Sequence, residues 1–329
     1  MKRLIILLLT VLCLAGCEKD KELSAEVVQV GLEPNSHSYL VIQTESNRET
    51  TVTFDDATAV ISFVEDTETV EPGDTVRIVL DEEKKYGATH ARTILVESRL
   101  VEDGAVLADG TALDIVEYGS HRIYRLKDGT ELLDERNPSG PEHVYTGVVC
   151  FDDLPEAAQE KVAAYFDEKG LFYDIPQELE MAYQAYLAEN GEYSCRLVSQ
   201  DITPMGANEK IISFATVVTL PLEGWGSVQF REGAIFDRGT GERIETEDLF
   251  VCDMEEALAE LLDRNGIAEP ERSEMLAAFR PECVLLSQGY LEIEFPYGTL
   301  SDQKNGGTIL SYEMEDVKDL LQPWAVIEQ

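Results

Sequence analysis

The chain has 329 residues, with 65 acidic against 26 basic side chains and a formal charge of −39. Such a field repels nucleic acid and anionic membrane surfaces and steers cationic partners inward. Apolar residues make up 44% of the sequence, enough for packed cores, which excludes a disordered chain.

At the start, Lys2 and Arg3 precede an apolar run from Leu4 to Leu12, and small residues then lead to Cys17. The run is shorter than the roughly 20 residues a spanning helix needs. It has the charged, apolar and cleavage regions of a secretory signal over residues 1–16. The LAGC at 14–17 resembles the bacterial lipobox, which implies a diacylglycerol thioether on Cys17 and a mature chain beginning there. The expected location is the extracytoplasmic face of the cell membrane, with the lipid as anchor and residues 17–24 as a polar tether. Loss of Lys2 and Arg3 with the leader takes the formal charge from −39 to −41. Cys150, Cys195, Cys252 and Cys283 remain. An oxidising compartment allows them up to two disulfides in three pairings, and free buried thiols are an equal alternative.

Residues 25–100 hold short β-branched runs, AEVVQVGL, SYLVIQT, TTVTF, TAVISF, DTVRIVL and RTILVES, separated by polar turns such as EPGD. This spacing predicts a small antiparallel β-barrel, and the order of its strands looks OB-like. The acidic residues from Glu65 to Glu83 argue against nucleic acid as its ligand. Residues 101–143 read as a hairpin and linker. Asp109-Gly110 and Asp128-Gly129 each follow an extended run and predict tight turns. Neither has the ligand spacing of a calcium loop.

Residues 144–329 change style. A helix is predicted after Asp153 as N-cap, with Gly170 as its stop, and a second from Pro176, with Leu179, Tyr183, Tyr186 and Leu187 on one face. A tyrosine stripe of that kind serves sugar stacking in one reading and core packing in the other, and helical spacing favours the core. Three long β-runs follow as a meander. Then come a capping-box helix at Asp253 and Glu256, a helix near 269–279, the strands CVLLSQ and YLEIEF, and an amphipathic tail helix, MEDVKDLL. The fold class is therefore α+β: an OB-like barrel followed by an antiparallel meander packed with helices.

Chemistry is sparse. The four histidines, His37, His90, His121 and His143, are scattered, and no HExxH, GxSxG or phosphate-binding glycine motif is present. No catalytic residue, metal site or cofactor is assigned. The acidic cluster of GAIFDRGTGERIETEDLF at 233–250 invites an acid/base reading, but Gly239 and Gly241 make it a hairpin end and Asp248-Leu249-Phe250 a helix start.

That stretch and its neighbours carry a resemblance. Phe236, Asp237, Thr240, Gly241, Ile244, Asp248, Leu249 and Phe250, followed by Tyr290, Phe295, Tyr297, Gly306, Gly307 and Ile309, stand in the order seen in one family. The pattern resembles the extracellular domain of lysozyme-sensing anti-sigma factors, a domain that also occurs beside polysaccharide deacetylases, and it spans roughly residues 145–321. The chain departs from that family in its lipoprotein-type leader and in lacking the deacetylase histidines. The resemblance implies an extracytoplasmic binding or sensing module whose ligand is a basic protein such as lysozyme or a cell-wall glycan. Two alternatives stand beside it: a wall-active glycan hydrolase using a carboxylate pair, and a docking component of an envelope assembly.

Overall fold

The computed structural model describes residues 21–32, 37–44, 46–64, 69–81, 84–119, 121–137, 151–189, 193–222, 226–303 and 306–328. The leader, Cys17, residues 18–20 of the tether, the linker from residue 138, His143 and Cys150 lie outside the described residues. The elements are α+β, as expected. Their contacts divide the chain into two units, Met1–Gly104 with Asp114–Gly119, and Ala105–Leu113 with Ser120–Gln329.

In the first unit, β1 (Glu22–Leu32), β2 (Ser38–Thr44) and β3 (Glu49–Phe54) form an antiparallel meander. β3 then runs parallel to β6 (Thr89–Val106), which pairs antiparallel with β5 (Asp74–Leu80), and β5 returns to β1. β4 (Ala59–Ser62) adds a short parallel pairing to β6. β1 begins at Glu22, inside the expected tether, because Glu22, Leu23 and Ser24 pair with Val79, Ile78 and Arg77. Alternate residues of these strands, among them Val27, Leu40, Ile42, Val76, Ile78 and Ile94, fill one core. The EPGD turn is fixed by Asp74, which is 0% exposed. Its carboxylate takes Arg99 Nε at 2.7 Å and Nη2 at 3.0 Å, and Glu71 N–H donates to it at 2.7 Å. A buried carboxylate with three donors is satisfied, which offsets the cost of its burial.

The expected hairpin and linker region contributes strands to both units. β6 continues to Val106, and β7 (Ala112–Glu117), β8 (His121–Arg125) and β9 (Glu131–Arg136) follow. Both Asp-Gly turns form. Asp109 and Asp128 each accept the N–H of the threonine two residues on, at 2.8 and 2.9 Å, which commits those carboxylates to the turns.

In the second unit, β9 pairs parallel with β10 (Arg196–Ala207), and β10, β11 (Ile211–Pro221) and β12 (Ser227–Asp237) form the antiparallel meander, ending on the two-residue β13 (Arg243–Ile244). β11 is buried on both faces from Ile211 to Thr216, as its unbroken run IISFAT requires. Ile212, Phe214 and Phe236 meet α1 (Glu156–Lys169) through Ala158, Val162 and Phe166. Ile211 and Ile235 belong to the core of the second sheet, β14 (Val284–Ser287), β15 (Tyr290–Phe295) and β16 (Thr308–Glu313), with α3 (Met254–Arg264) and α4 (Glu271–Ala278).

Helix ends depart from expectation in three places. Asp153 sits in a 3-10 turn and Pro155 is the cap of α1. A proline at the entry fixes the chain direction there and needs no side-chain acceptor. Asp253 occupies the cap of α3 without a side-chain bond. The tail helix is one turn only, α5 (Met314–Val317). Leu320 and Leu321 leave it because Val251 N–H donates to Leu320 O and Gln322 N–H to Leu249 O, which ties the tail to residues 249–251. Asp174, by contrast, caps α2 (Ile175–Ala188) by accepting Gln177 N–H at 2.8 Å.

Candidate functional site

α2 builds one wall of a concavity in the second unit. Buried Leu179 and Ala182 hold the helix to the body of the unit. The N–H of Ala108 bonds Glu180, and Thr111 Oγ1 lies 3.4 Å from Tyr183 Oη, so the turn at 107–111 braces the helix from the side. With α2 fixed, Met181, Gln184 and Ala185 line the cavity opposite Tyr193–Leu197, the segment that leads into β10. The third wall is the end of the β11–β12 hairpin, Pro221, Leu222, Gly226 and Ser227. Together they enclose about 650 Å³, within the range of small-ligand sites.

The lining mixes apolar surface with a few polar groups. Tyr193 donates its hydroxyl to Leu132 O at 2.5 Å, which fixes its ring. Tyr186 meets that ring edge-on at 5.7 Å and stacks in turn near Tyr183 at 6.3 Å. Leu179 and Ala182 do the core packing on α2, while Tyr183 and Tyr186 stay half-buried in a ladder that ends in the lining at Tyr193. Met181 is exposed beside the opening and Leu187 is exposed six residues further along α2. Glu180, Glu189 and Arg196 are the charged groups of the lining.

Cys195 also lines the cavity. It is exposed as a residue, yet its thiol is pushed up to about 12, first by desolvation and then by Asp134 and Glu131. A thiol held protonated is a poor nucleophile. Cys195, Cys252 and Cys283 are all free, so no disulfide joins any two of the described cysteines. Cys283 is buried, which raises its thiol too.

Four carboxyls are lifted by burial as the leading cause: Glu178, Asp201, Glu232 and Glu294. None of them lines the 650 Å³ cavity. Glu294, 2% exposed, binds Arg231 Nε at 2.6 Å and accepts Arg231 N–H at 3.0 Å, while Arg231 Nη1 reaches Glu292 at 2.9 Å. That network joins β12 to β15 and is structural.

The acidic stretch at 233–250 is spent in the same way. Asp237 Oδ1 accepts Gly239 N–H, Thr240 N–H and Thr240 Oγ1–H at 3.0, 2.9 and 3.1 Å, and Lys210 binds the other oxygen. Lys210 first, then the threonine bonds, hold Asp237 below its usual range against the pull of burial. Gly241 has φ +69°, and a Cβ there would lie 2.5 Å from Ala158 O, so the turn is seated against α1. Among the described residues no group of three His, Cys, Asp or Glu side chains is placed to hold a metal.

One constellation escaped the sequence. In the first unit His37 stacks on Tyr86 at 4.2 Å, Tyr86 donates to Asp55 at 3.1 Å, and buried His90 lies 3.5 Å from Asp55 and 3.0 Å from Thr53 Oγ1. Tyr86 is exposed and holds φ +55°. These residues come from three strand ends and a loop, and no local spacing announces them.

No described protein family matches the chain, and no curated protein matches it. Solved structures that align with it include two of the DUF3298 family. A member of the DUF3298 family from Bacteroides fragilis is 13% identical, with a TM-score of 0.35, over 68% of this chain and 92% of that one. A DUF3298 family protein from Pseudomonas aeruginosa PAO1 is 11% identical, with a TM-score of 0.34, over 70% of this chain and 95% of that one.

Proposed function

We propose that the protein is a lipid-anchored binding module of the cell envelope, tethered through Cys17 on the extracytoplasmic face, and that its second unit takes a cell-wall glycan in the cavity between α2, β10 and the β11–β12 hairpin. The observation that carries this reading is the cavity itself. Its volume suits a short saccharide and not a folded protein, and Tyr193 offers an apolar ring beside Gln184, Ser194 and Ser227, which suits a ligand with apolar faces and hydroxyl edges. Binding is favoured over hydrolysis because, of the two carboxylates in the lining, Glu180 already accepts Ala108 N–H, and the cavity thiol is held protonated. The pairing circuit β1–β2–β3–β6–β5–β1, with β3 parallel to β6, supports the reading of the first unit as an OB-type barrel. The anti-sigma-like pattern of residues 145–321 fits a sensing role for the second.

Titration of the full chain with chitotriose, followed by calorimetry, tests the cavity. Saturable binding that Tyr193→Ala weakens at least tenfold is expected, and an absence of heat at millimolar sugar overturns the glycan assignment. For the anchor, Cys17→Ser is expected to move the protein from the membrane fraction to the soluble one, and retention in the membrane refutes it. A second reading rests on the charge of −39, which favours a basic protein as partner. Lysozyme is the probe: complex formation at low salt that disappears as salt is raised supports it, and no complex at low salt removes it.

A further inference from the structure

β16 is an end strand of its sheet, and β15 is its one strand partner among the described residues. In an antiparallel ladder only every second residue bonds to the neighbouring strand. Met314 N–H donates to Gly289 O at 2.8 Å in line with the β15–β16 register, which assigns Thr308, Leu310 and Tyr312 to the bonds with β15. The N–H and C=O groups of Ile309, Ser311 and Glu313 therefore point away from β15, and among the described residues nothing bonds them. Leu310 and Tyr312 anchor the strand in the core. The side chains of the three outward residues are exposed, Ile309 at 49%, on the face where Arg231 binds Glu292 and Glu294. Charge says what fits this edge. Arg231 answers Glu292 and Glu294, and Lys318 answers Glu315, whereas the Glu313 side chain has no ion pair among the described residues. A second copy of the chain would bring another formal charge of −39 to the same place, while a cationic strand is attracted to it.

Resting on the reading of a basic protein as partner, we propose that β16 is the docking edge and that an extended segment of that partner adds to it as an antiparallel strand, with a lysine or arginine across from Glu313 and an apolar side chain across from Ile309. In strand addition the main-chain bonds supply affinity and the alternate side chains set specificity. Here the bonds are those open at Ile309, Ser311 and Glu313, and the antiparallel direction puts the cation four residues before the apolar side chain. The edge is separate from the 650 Å³ cavity, to whose lining no residue of β16 belongs.

The experiment titrates the full chain at low salt with the peptide Thr-Lys-Thr-Ser-Thr-Val-Thr, with the same peptide carrying glutamate for lysine, and with one carrying proline for serine. Amide hydrogen exchange at Ile309, Ser311 and Glu313, followed by NMR, is the readout. The lysine peptide is expected to slow exchange at these three amides, and the glutamate peptide to bind at least about fivefold more weakly. The proline peptide lacks the central N–H and is expected to leave exchange unchanged. Ser311→Pro removes a donor that points away from β15, as an edge strand tolerates, and is expected to abolish the protection. Glu313→Lys is expected to reverse the preference toward the glutamate peptide. Equal affinity of the wild-type chain for the lysine and glutamate peptides overturns the basic occupant. Exchange unchanged by every peptide at millimolar concentration overturns docking at β16, and the lysozyme titration then decides the basic-partner reading separately. Protection that grows with protein concentration in the absence of peptide assigns the edge to a second copy and also overturns the proposal. The peptide comparison on the wild-type chain decides the matter even if a variant does not fold.

Discussion

Single atoms decide several positions in this molecule. Gly233 is the tightest: a Cβ there would lie 2.1 Å from Val284 O, where β12 passes β14. Gly233→Ala is expected to destabilise the second unit by about 3 kcal/mol, at the upper end of overpacking costs, measured by urea unfolding. Glu178 works in the opposite direction. Burial raises its carboxyl, so the folded state holds the proton more tightly than the unfolded state does. Native stability is therefore fully favoured below the ordinary carboxylate range and declines as pH rises through the raised native value. Glu178→Gln, which mimics the protonated form, is expected to raise stability at pH 7 by on the order of 1 kcal/mol and to leave it unchanged near pH 4. Thermal melts at the two values check the sign. The role of Glu178 was not legible in PQELEMAYQAYLAENG, where it reads as one more surface acid of an acidic helix. Only the placement of α2 buries it.

Strands and helices were the most legible level. The runs from SYLVIQT to RTILVES each became a strand, since alternation of β-branched residues reports directly on a half-buried pleat. What stayed hidden was pairing between distant segments. The parallel contact of β9 with β10 joins residues some sixty apart, and the cavity takes its walls from three segments, so neither leaves a local periodic trace. The Asp153 cap failed for a similar reason, because Pro155 outweighed local spacing. At this scale the join between β12 and β15 is the place to press. Arg231→Met strands Glu294, which is 2% exposed, without its cation, and is expected to cost about 3–5 kcal/mol in chemical denaturation. Arg231→Met with Glu294→Leu is expected to recover much of that loss, since an apolar pair of similar size restores packing without stranding a charge.

For the molecule as a whole, charge is the dominant field. With 65 acidic side chains against 26 basic ones, self-repulsion opposes the compact state. Raising sodium chloride from about 0.01 M to about 0.15 M, which shortens the screening length from ~30 Å to ~8 Å, is expected to raise the melting temperature by several degrees. A flat response in calorimetry refutes self-repulsion as a limit on stability. The bond from Arg231 N–H to Glu294 has a further consequence at this level. A strand at the margin of a sheet offers its unpaired amides to any extended peptide that comes near, and growth into aggregates begins there. On β12 one of those amides is already answered by a carboxylate from the neighbouring sheet. An incoming strand would have to displace a buried charge to dock at that point, so the clamp that joins two layers also acts as a gatekeeper against aggregation.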